Sequence, residues 1–272
     1  MGAQKIDLTG IIRSRIKGWK GKLIPTPLLK GLEKLICQQD LNNILETQYP
    51  KEGSEFAAGV FEQLNLKIEV EGLDKIPDGR YVFASNHPLG GLDGIGLISI
   101  LGKKYGDEHI RFIVNDMLMN VHPLRNVFLP VNKYGSQGRE RAKVMADAYN
   151  SDKQIVMFPA GLVSRLHPDG SIKDLQWQKS FVSKALESGR KIIPVRFEAL
   201  NRQRFYRIAY WRKKLRFKIN IEQALLPGEL VAAKGETYRV KFGFPVDPAL
   251  LKDSGMNITE IATHIRDLSD SL

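Results

Sequence analysis

"DGRYVFASNHPLGGLDGIGLISILGKK", Asp78 to Lys104, passes from a polar turn through a short apolar run to a glycine-rich segment and a second apolar run. Tyr81 to Ala84 reads as a short strand that delivers His87 at its end. "GLDGIGLISILGKK", from Gly91, reads as a helix closing on two lysines. A strand that hands over to a helix in this way is the repeating unit of an α/β sheet. The turn between them holds one histidine and one aspartate. Asp93 opens the helix, where the helix dipole favours a carboxylate whatever its use. Two readings therefore stand: a catalytic pair, or a decorated turn. In the first, Asp93 accepts the Nδ1 proton of His87, and the other ring nitrogen takes a proton from an attacking hydroxyl. Gly90, Gly91 and Gly94 would let backbone approach a ligand closely.

Outward from this stretch the pattern repeats. "LKIEVEG" alternates, with Leu66, Ile68 and Val70 on the inner side of a half-buried strand. "IRFIVN", "VFLPVNK", "QIVMFPAG", "KIIPVRF" and "YRVKFGFPVD" are further strands, and "GRERAKVMADAYNS", "WQKSFVSKALESGR" and "NITEIATHIRDLSDS" are helices. The expected fold class is α/β: a mixed, mostly parallel sheet covered by helices, with an N-terminal helical extension. Residues 1–64 form that extension, which associates with a membrane surface, and 65–272 form the α/β domain. Within the extension, "TPLLKGLEKLICQQDLNNILETQ" has helical spacing, and "SEFAAGVFEQLN" reads as a helix capped by Ser54.

The composition, 43% hydrophobic and 26% charged over 272 residues, is that of a folded domain. A single cysteine, Cys37, excludes an internal disulfide and any multi-cysteine metal site, and is expected as a small buried residue. A net charge of +11 calls for an acidic partner: nucleic acid, an anionic membrane or an acidic carrier protein. The first twenty residues lack a signal-peptide core and the Ser or Thr that myristoylation would need at Ile6. No apolar run has the length of a membrane span. The expected location is the cytoplasmic face of the inner membrane, held peripherally.

Two basic tracts could provide that attachment. "IIRSRIKGWKGKLIP" places Arg13, Arg15, Lys17, Trp19 and Lys20 among apolar residues without an acid. "RQRFYRIAYWRKKLRFK", Arg202 to Lys218, has eight basic residues, interleaved aromatics and no acid, with Arg212, Lys213 and Lys214 at its centre. Such a tract can bind single-stranded nucleic acid, but no nucleic-acid module accompanies it, so no nucleic-acid partner is expected. The bland alternative is a helix packing Phe205, Ile208, Tyr210, Trp211 and Leu215 partly inward. P-loop, GxGxxG and GxSxG motifs are missing, and the histidines lack metal-ligand spacing, so no metal is expected.

"SNHPLGGLD" resembles the NHxxxxD motif of the glycerolipid (lysophospholipid) acyltransferase family. About seventy residues on, "MFPAGLVSR", Met157 to Arg165, resembles its FPEGTRS block. "KIIPVRF" is similar to its later strand, and "VNDMLMNVHPLRNVFLPVNK" to the block between. The likeness covers roughly half the chain, residues 65 to 200, and is strongest to a bacterial hemolysin-labelled branch that includes ornithine- and glycine-lipid enzymes. The resemblance implies an O-acyltransferase moving a fatty acyl group from an acyl thioester to a lysolipid hydroxyl. His87 would be the general base and Asp93 its orienter. Asn86, Gly90, Gly91, Pro159, Gly161, Ser164 and Arg165 would line the substrate site. No cofactor is implied; acyl-carrier protein or acyl-CoA is the co-substrate, and acyl-carrier protein is the expected partner.

Two departures matter. Five residues, not four, separate His87 from Asp93. On a rigid helix that insertion would rotate the carboxylate by about 100°, so Gly90 and Gly91 must absorb it. In "FPAGLVSR", Ala160 and Val163 replace the family's Glu and Arg, removing a guanidinium suited to bidentate phosphate binding. That favours a lyso-aminolipid acceptor over 1-acylglycerol-3-phosphate, with Arg165, Arg139 or Arg196 left to bind an anion. A non-enzymatic, membrane-active protein is the remaining alternative.

Overall fold

The strand that carries His87 is buried along its whole length, as suits a strand with neighbours on both edges and helices on both faces. The computed structural model describes residues 2–15, 25–131, 138–216 and 220–272, without the side chains at 11, 14, 15, 117, 138–141 and 221. Its strands are β1 (Lys67–Glu71), β2 (Tyr81–Ser85), β3 (Ile110–Asn115), β4 (Phe128–Val131), β5 (Gln154–Met157), β6 (Arg165–Leu166), β7 (Ile172–Lys173), β8 (Lys191–Glu198) and β9 (Thr237–Phe242). Seven of them form one sheet in the order β1-β9-β8-β2-β5-β3-β4, while β6 and β7 pair separately. Within the large sheet only β8 and β9 run antiparallel. The mixed, mostly parallel sheet expected from the sequence is the sheet observed.

The helices are α1 (Leu8–Arg15), α2 (Thr26–Leu35), α3 (Gln38–Gln48), α4 (Gly53–Gln63), α5 (Leu92–Tyr105), α6 (Gly138–Asn150), α7 (Ser180–Ser188), α8 (Gln203–Lys214), α9 (Leu226–Ala232), α10 (Pro248–Asp253) and α11 (Ile258–Ser271). One core cluster joins Phe83, Leu97, Leu101 and Val195 to Phe56, Val60 and Phe61 of α4 and to Ile44 and Leu45 of α3. A second joins Val82, Ile155 and Ile192 to Phe181 of α7 and Ile261 and Ile265 of α11. Residues assigned by sequence to the N-terminal extension thus contribute to the core of the sheet.

Several local expectations change. The helix read over 26–48 is two helices, because Cys37 takes a left-handed conformation (φ 52°) between α2 and α3. Cys37 is half-buried rather than buried. Ser54 does not cap α4 with its side chain; its N–H donates to the Asp107 carboxylate at 3.0 Å, an acid brought to the helix start from 53 residues away. β1 lies at the sheet edge, so Leu66 is buried but Val70 is exposed.

Arg190 is the polar knot of the fold. Its side chain is 1% exposed and donates to the carbonyls of Tyr149, Tyr81, Lys153, Ala148 and Ser151. Burial lowers its pKa to about 10, which still leaves it charged at neutral pH.

Candidate active site

In open α/β sheets the C-terminal ends of parallel strands are where ligands bind. Here β2 lies between β5 and β8, with Ala84 opposite Met157 and Ser85 opposite Val195. That register sets the residues that follow each strand side by side, although the first two blocks are about seventy residues apart in sequence.

After β2 the chain turns through Pro88 to Gly91 and enters α5, with Gly91 as its N-cap. Gly90 takes φ +78°, and a Cβ there would lie 2.4 Å from Cγ2 of Val163. Gly90 thus absorbs the extra residue, and Gly91 has open space where a Cβ would sit. The bend returns the Asp93 carboxylate to the histidine: Oδ2 lies 2.9 Å from Nδ1 of His87. The same oxygen accepts the N–H groups of Leu89 at 2.9 Å and Gly90 at 3.1 Å. Asp93 is fully buried and His87 is 17% exposed. Because the carboxylate can only accept, the proton sits on Nδ1 and the Nε2 lone pair is left free.

Burial pushes the His87 pKa down, but the charge and hydrogen bond of Asp93, with help from Asp174, outweigh it and leave it raised. Burial pushes Asp93 up, but His87 and the two loop N–H groups reverse this and leave it lowered. The imidazole is therefore a stronger base than a free one, and its partner stays ionised.

The second block packs against this loop. Phe158 stacks on His87 with ring centroids 4.1 Å apart and planes at 24°. Pro159 is buried and its carbonyl accepts the N–H of Gln178. Gly161 (φ +67°) ends a turn whose N–H returns to the Phe158 carbonyl at 3.0 Å. The N–H of Ser164 donates to the His87 carbonyl at 2.8 Å. Ala160 is buried with Trp177 and Phe181, and Val163 with Phe205, Tyr206 and Leu225. Two of the three positions that depart from the family pattern, Ala160 and Val163, are thus apolar core, where a Glu or Arg would be buried.

Arg165 is held by Glu222. Its Nη2 lies 3.0 Å from Oε1, while Nε of Arg212 lies 2.8 Å from Oε2, and Glu222 is fully buried between them. Arg165 also sits over the Phe205 ring at 5.4 Å. Arg196 pairs with Asp270. Asn86, expected to line the substrate site, uses its amide to extend the sheet: Oδ1 accepts the Phe197 N–H at 2.6 Å and Nδ2 donates to the Phe197 carbonyl at 3.0 Å.

Sequence reasoning missed two carboxylates. Glu222 follows the basic tract in an unremarkable helical segment. Asp174, in "SIKDLQWQ", accepts the His87 N–H, the Ser164 hydroxyl and the Trp177 indole N–H. Neither carries a motif; only three-dimensional packing identifies them.

A groove of about 470 Å³ lies beside the loop, lined by Leu89, Leu92, Leu200, Asn201, Leu230 and Tyr238 among others. His87 and Asp93 are not among the walls of this groove. Asn201 ties the groove to the loop by donating to the Pro88 carbonyl at 3.0 Å. Of the surface residues expected from sequence, Arg13, Lys213 and Lys214 are exposed. Arg212 instead turns inward to Glu222, with only 14% of its side chain exposed. Lys17, Trp19 and Lys20, and the side chains of Arg15 and Arg139, lie outside the described residues. Among the described residues no metal-binding cluster occurs, and no helix is long and apolar enough to cross a membrane.

Residues 19–268 match the acyltransferase family. The chain belongs to that family. This acyltransferase is 40% identical over 242 residues to the lyso-glycine lipid O-acyltransferase of Phocaeicola vulgatus, covering 89% of this chain and 86% of the relative. It is 36% identical over 264 residues to the lyso-glycine lipid O-acyltransferase of Bacteroides thetaiotaomicron, covering 97% and 96%. Among solved structures it resembles the 1-acyl-sn-glycerophosphate acyltransferase of Thermotoga maritima, with a TM-score of 0.48, 16% identity, and coverage of 96% and 83%.

Proposed function

We propose that this enzyme transfers a fatty acyl group from a thioester to the hydroxyl of a lyso-glycine lipid, with His87 as general base. The observation that carries the reading is the 2.9 Å contact between His87 and Asp93, made in spite of the longer spacing. Nε2 of His87 takes the proton of the acceptor hydroxyl as its oxygen attacks the thioester carbonyl. The tetrahedral adduct collapses with cleavage of the carbon–sulfur bond, and the leaving thiolate takes the proton back from the imidazolium. Asp93 stabilises the imidazolium between these steps. No acyl-enzyme forms, and no cofactor takes part.

The relatives' names support an aminolipid acceptor, and the burial of Ala160 and Val163 supports it independently of them. A glycerol phosphate acceptor would lack the guanidinium that the common motif provides. Arg165, close to the His87 loop through its neighbour Ser164, is the candidate partner for the acceptor's carboxylate. Acyl-carrier protein is the proposed donor, with acyl-CoA as the alternative.

We place the enzyme peripherally on the cytoplasmic face of the inner membrane, attached in part through α8. Its inner side buries Phe205, Tyr206 and Ala209, while Arg207, Tyr210, Trp211 and Lys214 are exposed at helical spacing on the opposite side. The Lys214 ammonium lies 4.7 Å from the Trp211 ring centroid. Exposed aromatics among cations suit a lipid headgroup layer. The test is incubation of purified enzyme with lyso-glycine lipid and either acyl-carrier protein thioester or acyl-CoA, followed by mass spectrometry. An O-acylated product is expected with one donor or both; acylation of lysophosphatidic acid at an equal rate would contradict the acceptor assignment.

A further inference from the structure

We infer that Asp174 is a positioning residue for the acyl-transfer reaction, fixing the His87 main chain against the Ser164 block and placing a second negative charge behind the base. The inference rests on His87 as the general base. Asp174 lies outside both motif blocks, in the segment between β7 and α7.

The geometry is that of a buried junction. Both carboxylate oxygens of Asp174 lie 3.2 Å from the His87 N–H. Oδ1 accepts the Ser164 hydroxyl at 2.6 Å, and Oδ2 accepts the Trp177 indole N–H at 3.0 Å. Ser164 closes the ring by donating its own N–H to the His87 carbonyl at 2.8 Å. One carboxylate therefore joins the segment after β2, the segment after β5 and the approach to α7. Asp93 fixes the imidazole; Asp174 fixes the peptide from which it hangs.

Every group facing Asp174 here is a donor, so the ionised form is the one that satisfies them, although burial raises its pKa. The charged groups facing His87 are Asp93 at the start of α5, Asp174, and Arg165 on β6; the two carboxylates favour its protonated form and Arg165 opposes it. The imidazolium formed during the reaction is thus supported from two sides. An amide at position 174 would keep the shape but remove the charge and turn an N–H₂ toward a donor.

The test is Asp174→Asn, with His87 titrated by NMR and the steady-state constants measured on the same preparation. We expect the His87 titration to move down by about one pH unit and kcat to fall about 10- to 100-fold with little change in KM. An unmoved titration overturns the proposal, even with a loss of kcat, because a merely structural role would leave the base unchanged. If Asp174→Asn does not fold, Ser164→Ala and Trp177→Phe, which keep the charge, should each lower kcat without moving the titration. Wild-type kcat in both would overturn it. Full activity in His87→Ala would instead remove the base assignment, while the effect of Asp174 on the titration would still be readable.

Discussion

The ring of Phe158 lies flat against the imidazole of His87, with 4.1 Å between centroids and 24° between planes. His87 is thereby held on its face by one block, at Nδ1 by Asp93 and at its main chain by Asp174 and Ser164. An imidazole confined in this way keeps Nε2 in one direction, which is what a base acting on a bound hydroxyl requires. Phe158→Ala should leave the fold intact but lower kcat about 10- to 100-fold, read as turnover alongside an unchanged circular dichroism spectrum. A wild-type kcat would show that the stacking does not orient the base.

The activity of the enzyme should depend on pH through His87. The base must be neutral to act, so the rate should rise with pH across its pKa. Asp93 and Asp174 leave that pKa raised despite burial. The midpoint of the acid limb of kcat/KM should therefore lie above the ordinary histidine value of about 6.5. In Asp93→Asn it should move to lower pH, with a much lower plateau. A limb at or below the ordinary value in the wild type would contradict the geometry of the pair.

Glu222 tests the stability of the site. It is fully buried between Arg165 and Arg212. Glu222→Gln leaves two largely buried guanidiniums facing a neutral amide, and removing one member of such a set costs about 3 kcal/mol. For a chain of this size that is a fall in Tm of about 6–12 °C, measurable by thermal unfolding. A change within about 1 °C would show that the cluster is not a structural unit.

The outer side of α8 should carry membrane attachment. Each cation at an anionic leaflet contributes about 1 kcal/mol. Arg207→Glu with Lys214→Glu should therefore weaken binding to vesicles containing phosphatidylglycerol by more than about 30-fold, read by co-sedimentation at fixed salt. Unchanged binding would assign attachment to another surface.

The sheet was legible because its strands are short apolar runs ended by Pro, Gly or polar residues, and the run Tyr81–Ala84 is buried as its sequence requires. The break at Cys37 was not, since nothing in "EKLICQQD" marks a left-handed residue. The turn that joins His87 to Asp93 was legible, because its residue types are dictated by a tight bend. Gly90 illustrates this: the space it occupies admits no Cβ, and its positive φ brings Asp93 back to His87. Asp174, Glu222 and the inward turn of Arg212 were not legible. Their partners are up to about ninety residues away in sequence, and an isolated acid between strands looks like any surface carboxylate. The same limit explains Asn86, whose neighbour in the motif suggested substrate contact while its amide bonds Phe197.

The proposed role of His87 is to drive acylation of a lyso-glycine lipid. The most direct measurement is lipid mass spectrometry on cells that express wild-type enzyme or His87→Ala at equal protein levels. If His87 has this role, the wild type converts lyso-glycine lipid into its O-acylated form and His87→Ala leaves the lysolipid unconverted. Equal amounts of the O-acylated lipid from both would contradict it.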